Sequence, residues 1–114
     1  MIFARYRTYF ALLGVAALCL VAASTSANTG ASDADRIVIK SFMFMPMSLT
    51  IKRGSIVTWT NADDEPHTVV GDAGLFRSGA VDTNETFTFE FDQPGTYHYH
   101  CSIHPQMVGT IVVE

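Results

Sequence analysis

Hydrophobic and polar residues alternate in short runs over most of this chain, and turn-forming residues separate the runs. The clearest run is TFTFEF at 86–91, where Phe87, Phe89 and Phe91 fall on one face of a strand. No segment after residue 35 has a helical period. The other runs that predict strands are RIVIKSFMF (36–44), LTIK (49–52), SIVTWT (55–60), HTVV (67–70), TYHYHC (96–101) and MVGTIVV (107–113). About seven or eight strands in so short a chain predict an all-β fold, a Greek-key sandwich or small barrel.

The positions of the apolar residues change parity after the first run. Phe42 and Phe44 are predicted to share a face, whereas Leu49 and Ile51 occupy odd positions in the next run. Pro46 lies between the two pairs. Because proline cannot donate a hydrogen bond to a β-ladder, it predicts a break or a sheet edge at this point.

The N-terminal pattern is of another kind. Arg5 and Arg7 precede the apolar run ALLGVAALCLVAA, and small residues follow it. This order is typical of a secretory signal peptide at 1–27, with cleavage after Ala27 or after Ala23. A permanent membrane anchor is the alternative, but the run is shorter than the ~20 residues that a spanning helix needs. We therefore expect a periplasmic protein with no stable membrane insertion after cleavage.

Residues 28–35 are small, polar and acidic and predict a flexible lead-in, so the single folded domain is predicted to be 36–114. Once the signal peptide is removed, 5 basic residues remain against 11 acidic ones, which is a net charge of −6. This excess of acid argues against nucleic acid and anionic membrane surfaces as partners.

The cysteine content points to a bound metal. Cys19 lies in the apolar run of the signal peptide, so Cys101 is the only cysteine of the mature chain and no internal disulfide can form. A lone thiol in an oxidising compartment is a liability unless something occupies it. A domain of this size also gains stability from a cross-link, which a metal can supply.

The candidate chemistry is concentrated in GTYHYHCSIHPQMVGT at 95–110. Because side chains alternate along a strand, Tyr99 and Cys101 face one way and His98 and His100 the other. The tyrosine face is predicted to be the core, and the two histidines are predicted to face water. Cys101 therefore cannot share a site with either of them.

A chain turn after Cys101 allows His104 and Met107, at the spacing C-x2-H-x2-M, to fold back towards the sulfur. His67 is the remaining histidine, at the head of a predicted strand. A thiolate, two imidazoles and a thioether form the trigonal His2Cys site with a weak axial methionine that is typical of blue copper. The predicted metal ligands are His67, Cys101, His104 and Met107, for one type 1 copper per chain.

Other cysteine sites fit these residues less well. Structural zinc favours four strong Cys or His ligands at other spacings, and iron–sulfur clusters need more cysteines. A Cys–His catalytic pair would need an exposed Cys101 and would give Met107 no role.

Residues 36–114 resemble the cupredoxin family in FMFMPMSLTIKRGSIVTWTNADDEPHTVV, LFRSG and DQPGTYHYHCSIHPQMVGTIVV. The short C-x2-H-x2-M loop is similar to that of the family's amicyanin members. The resemblance implies a Greek-key sandwich with copper at one end and His104 as the exposed ligand. It also implies that the Thr68 N–H donates to the Cys101 sulfur and that Tyr97 forms a tyrosine corner.

The function implied by the resemblance is the shuttling of single electrons between larger redox proteins. We expect a monomer that docks transiently with a redox donor and a redox acceptor, and that is not an enzyme. Two alternatives remain. An enzyme could use His100 beside a second copper, as in copper nitrite reductases. A periplasmic copper chaperone or resistance protein could bind Cu(I) through the stripe Met43, Met45 and Met47, which is predicted to lie on the face opposite Phe42 and Phe44.

Overall fold

A computed structural model describes residues 35–114 and Ala22. The predicted signal peptide, and residues 28–34 of the lead-in, lie outside the described residues apart from Ala22. No helix among the described residues is long and apolar enough to cross a membrane. The eight strands are β1 (Arg36–Lys40), β2 (Met43–Met45), β3 (Ser48–Ile51), β4 (Ser55–Asn61), β5 (Val70–Gly71), β6 (Thr86–Phe91), β7 (Gly95–His100) and β8 (Val108–Val113).

The strands form two four-stranded sheets, with the orders β2-β1-β4-β6 and β3-β8-β7-β5. β1 pairs with β4 in parallel and β3 with β8 in parallel, while all other neighbours in the two sheets are antiparallel. The chain changes sheet between β2 and β3, the point at which Pro46 predicted a break. The predicted all-β sandwich is confirmed.

The core lies between the sheets and is centred on aromatic rings. The Trp59 ring centroid lies 5.6 Å from that of Tyr99, 5.9 Å from Phe76 and 5.7 Å from Phe87. The three phenylalanines of TFTFEF all point inward, as their alternation predicted. Burying such rings removes large apolar areas from water, which is the main stabilising contribution in a domain of this size.

The predicted first strand, 36–44, is wrong as a single strand. It is a hairpin of β1 and β2, and the chain reverses at Ser41 and Phe42, which have φ values of 52° and 57°. Phe44 is fully buried but Phe42 is 44% exposed, so the two do not share a face. The Asp63 carboxylate accepts hydrogen bonds from the N–H groups of both turn residues, which supports these left-handed conformations.

The predicted strand HTVV is also shorter than expected. Only Val70 belongs to β5, and His67 makes an isolated bridge with Val81. The Val69 N–H donates to the Ser78 hydroxyl at 2.7 Å instead of to a neighbouring strand. The segment before β5 is therefore a loop fixed by local hydrogen bonds, and His67 lies on this loop.

Candidate metal centre

Three of the four predicted ligands, His67, Cys101 and His104, meet at one end of the sandwich. His67 lies on the loop between β4 and β5, and Cys101 directly follows β7. β5 pairs with β7 through Val70 and His100, so the two segments that carry His67 and Cys101 are adjacent. The short connection from β7 to β8 then returns His104 and Met107 to the same end.

The donor atoms of His67, Cys101 and His104 all lie within 4.8 Å of one another. The Cys101 sulfur is 3.9 Å from Nδ1 of His67 and 3.9 Å from Nδ1 of His104. His67 and Cys101 are fully buried, and His104 is half-buried. The group therefore has one face towards solvent, at His104.

The donor set fits copper. Typical metal–nitrogen and metal–sulfur bonds of ~2.0 Å and ~2.3 Å add up to about 4.3 Å, so a single ion can contact the sulfur and either nitrogen across the observed separations. A thiolate with imidazoles is a soft set that suits copper. Met107 is 2% exposed and lies in the loop closed by its N–H to the His104 carbonyl, at 2.9 Å. Its place as fourth ligand stays a prediction.

The surroundings of Cys101 favour the thiolate, which is the form that binds metal. Burial raises the pKa of this thiol, but hydrogen bonds from the backbone of Thr68 and His104, together with the neighbouring rings of His67 and His104, outweigh burial. The net effect lowers the pKa of Cys101 from 9.0 to about 6. The site is thus electrostatically prepared for a cation.

Thr68 connects the two ligand-bearing segments. Its N–H donates to the Cys101 sulfur at 3.3 Å, as the family resemblance implied. Its hydroxyl accepts from the Ser102 N–H at 2.7 Å and lies 2.8 Å from the Ser102 hydroxyl. The side chain of Thr68 therefore braces the loop after Cys101, and the backbone of Thr68 orients the sulfur.

Sequence reasoning missed two residues beside the ligands, Asp63 and Phe42. Asp63 Oδ2 lies 2.9 Å from His67 Nε2, and the Phe42 ring contacts the rings of both His67 and His104. An acid four positions before the predicted ligand was the available signal. It was ambiguous because Asp64 and Glu65 follow directly.

The other predicted positions agree with the structure. His98 and His100 lie on the outer face of β7, where His98 Nδ1 is 3.0 Å from the Thr110 hydroxyl and His100 Nδ1 is 2.7 Å from the Asp72 carboxylate. The Tyr97 hydroxyl donates to the Gln93 carbonyl at 2.8 Å, the contact of a tyrosine corner. Neither histidine belongs to the group around Cys101.

Comparison with known proteins gives consistent results. Residues 11–113 match the family described as Cupredoxin-like domain. Amicyanin-alpha of Methylorubrum extorquens is 35% identical over 117 residues, which cover 91% of this chain and 98% of that protein. Plastocyanin of Scenedesmus fuscus is 38% identical over an alignment of 85 residues that covers 63% of this chain and 87% of that protein.

Solved structures resemble the fold as well. The Cu(I) form of an amicyanin mutant superposes with a TM-score of 0.69 at 32% identity, covering 75% of this chain and 87% of that one. A purple cupredoxin from Nitrosopumilus maritimus gives a TM-score of 0.65 at 33% identity, covering 69% of this chain and 98% of that one.

Proposed function

Because the chain belongs to the Cupredoxin-like domain family, we propose that it is an exported type 1 blue copper protein that carries single electrons between larger redox proteins. The observation that supports this most strongly is the convergence of the buried His67 and Cys101 with the half-buried His104. Its relatives named amicyanin and plastocyanin support the same function.

The protein's contribution is a donor set that is held in place before an electron arrives. Copper bound here would take up one electron as Cu(II) and give it up as Cu(I). Thr68 fixes the direction of the Cys101 sulfur, and the paired strands β5 and β7 keep His67 near it. Because little has to move when the charge changes, electron exchange is expected to be fast. Burial and the hydrogen bonds to sulfur then set the reduction potential.

We propose a carrier in preference to an enzyme because four protein ligands, His67, Cys101, His104 and Met107, would leave no coordination position for a substrate. Electrons would leave through the half-buried His104. Two exposed apolar side chains lie beside this histidine: Phe42, whose ring contacts the His104 ring, and Ile103, the preceding residue. Transient docking of a redox donor and acceptor at this end needs no charged or covalent contact.

Copper reconstitution tests the proposed function. The purified mature protein with one equivalent of Cu(II) should turn intensely blue, because the thiolate donates charge to Cu(II). Cys101→Ser should abolish the colour, and His67→Ala should severely weaken copper binding. Absorption spectroscopy and a titration with a competing chelator measure both effects.

The double variant His98→Ala with His100→Ala is the matched control, since both rings lie on the outer face of β7. Its spectrum should be nearly unchanged. Loss of the blue colour in this variant would contradict the assignment of ligands to the opposite face.

Export is tested by mass spectrometry of the protein from a periplasmic fraction. Cleavage after Ala27 or Ala23 should give a chain that begins at Asn28 or Ser24. Recovery of the chain with residues 1–27 still attached would contradict the proposed signal peptide.

A copper chaperone is the second candidate function, because the thioethers of Met43, Met45 and Met47 are 47%, 48% and 56% exposed. Thioethers are soft donors that suit Cu(I). Titration of the copper-loaded protein with Cu(I) under a competing chelator separates the two functions. A carrier takes up no further tight copper. A second tight equivalent that disappears when all three methionines are replaced by leucine would favour the chaperone.

A further inference from the structure

A single carboxylate, that of Asp63, joins the first ligand to the β1–β2 turn. The residue is 7% exposed, and its carboxylate makes three polar contacts. Its Oδ1 accepts from the Ser41 N–H at 2.7 Å, and its Oδ2 accepts from the Phe42 N–H at 2.9 Å. The same Oδ2 lies 2.9 Å from His67 Nε2.

The contact of Asp63 with Nε2 of His67 bears on which nitrogen of this ring is free for a metal. Both oxygens of the Asp63 side chain accept backbone N–H groups, Oδ1 from Ser41 and Oδ2 from Phe42, as the two oxygens of a carboxylate can. An ionised carboxylate only accepts hydrogen bonds. The proton of the neutral imidazole therefore lies on Nε2, and the lone pair of Nδ1 faces the Cys101 sulfur at 3.9 Å.

The turn that Asp63 holds carries an aromatic ring to the metal centre. The Phe42 ring centroid lies 5.4 Å from that of His67 and 5.0 Å from that of His104, and both contacts are edge-on. Phe42 can reach this position because its backbone is in the left-handed region, where a residue with a large side chain is strained. The hydrogen bonds to Asp63 offset that strain.

We propose that Asp63 is a positioning residue that acts on the copper centre in two ways, by fixing the Nε2–H tautomer of His67 and by holding Phe42 against both imidazoles. The inference rests on the copper-binding function proposed above. Carboxylates that accept from the distal N–H of a metal-bound histidine orient the ring and strengthen it as a donor. Asp63 thereby links the loop that carries His67 to the turn between β1 and β2.

A role confined to the turn would require only the N–H contacts with Ser41 and Phe42. Two readouts separate that simpler role from the proposed one: the tautomer of His67 in the copper-free protein, and the relative affinity for Cu(II) and Cu(I). Neither changes if Asp63 only caps the turn.

The first experiment is nitrogen-15 NMR of the copper-free wild-type protein, which reports the tautomer of His67 without any substitution. We expect the proton on Nε2. A proton on Nδ1 in the folded wild-type protein would overturn the proposal, and this outcome does not depend on whether any variant folds or whether copper binds.

The second experiment compares Asp63→Asn with Asp64→Asn, an exposed neighbour where the same charge is removed. An amide accepts at only one of its two terminal atoms, so the Asp63→Asn variant cannot satisfy Ser41, Phe42 and His67 together. The Nδ1–H form of His67 should appear, and the Cu(II) affinity should fall 10- to 100-fold. Asp64→Asn should leave the tautomer unchanged and the affinity within about twofold, because an exposed charge is screened by solvent.

The Cu(I) affinity completes this comparison. An anionic partner stabilises the more highly charged Cu(II) state more, so Asp63→Asn should lose more Cu(II) than Cu(I) affinity. Each factor of ten by which the loss of Cu(II) affinity exceeds the loss of Cu(I) affinity raises the reduction potential by 59 mV. Equal losses for the two oxidation states, with His67 still protonated on Nε2, would reduce Asp63 to a turn cap. A wild-type protein that never turns blue would instead disprove the carrier function and leave the tautomer result standing.

Phe42→Leu tests the second half of the proposal. It keeps every hydrogen bond to Asp63, so the tautomer of His67 should not change. The ring protons of His67 and His104 should shift in the proton spectrum, because both lose the ring current of one neighbour. Unchanged shifts for both imidazoles would show that Phe42 does not contact them in solution.

Discussion

Cys101 shows how single residues prepare the site before a metal arrives. In the copper-free protein its pKa is lowered to about 6 from 9.0. Between these values the unfolded chain binds more protons than the folded one, so this group makes stability rise with pH. The contribution is fully present above about pH 9 and is lost as the pH falls through about 6.

The measurement is urea denaturation of the copper-free protein and of Cys101→Ser at several pH values. The free energy of unfolding of the wild type should fall relative to that of the variant as the pH is lowered from 9 towards 5. Parallel pH curves for the two proteins would show that the thiolate is not stabilised by the fold.

Met107 is proposed as the weak axial ligand, and Met107→Gln should keep copper but lower the reduction potential. An amide oxygen is a harder donor than a thioether and favours Cu(II) over Cu(I). Voltammetry on the copper-loaded variant measures the change. A variant with an unchanged potential would remove Met107 from the ligand set.

The residues of the site differ in how far the sequence predicts them. One short loop carries Cys101, His104 and Met107. Because they are close together in the sequence, the sequence alone identifies them as candidate ligands. His67 follows because it is the histidine left over. Asp63 was not predictable, since its importance comes from a turn more than twenty positions earlier. Phe42 was misplaced because a left-handed φ is rare for such a residue.

At the scale of strands, the pairing of β7 with β8 depends on Gly109. This residue lies opposite Tyr99, and a Cβ added at Gly109 would approach the tyrosine ring to 2.2 Å. Gly109→Ala should therefore destabilise the fold by ~1–3 kcal/mol, the usual cost of overpacking a core. Thermal or urea denaturation of the copper-free protein checks this.

Gly79→Ala is the matched control, because a Cβ at that exposed position meets nothing within 4 Å. Its stability should change little. Equal effects of the two substitutions would mean that the loss arises from glycine flexibility and not from the tyrosine ring.

The strands that alternate cleanly, β6 and β7, were predictable because one face of each packs on the core. The break between β1 and β2 was not, because the run 36–44 is uniformly strand-forming and its reversal is imposed by Asp63. The length of β5 was overestimated for a similar reason. The Ser78 hydroxyl accepts a hydrogen bond from the Val69 N–H, which would otherwise pair with a neighbouring strand.

At the scale of the whole molecule, net charge affects how fast small charged redox reagents reach the protein. The chain from residue 28 onwards carries a net charge of −6, while the exposed side chains Phe42 and Ile103 near His104 are uncharged. Oxidation or reduction by a small cationic metal complex should slow as salt is added, since screening removes the long-range attraction. With an anionic complex the rate should rise. Stopped-flow kinetics measures both rates. If the two rates changed in the same direction as salt is added, this electrostatic account would be contradicted.

The distance in sequence between His67 and the loop at 101–107 has a consequence for maturation. The parallel pairs β1–β4 and β3–β8 join segments that are far apart in the chain, and such pairings form late in folding. The donor atoms converge only after β5 has paired with β7. We therefore expect the complete copper site to form only after the sheets have assembled. Once bound, the ion ties the two ends of this 34-residue separation together and opposes their opening.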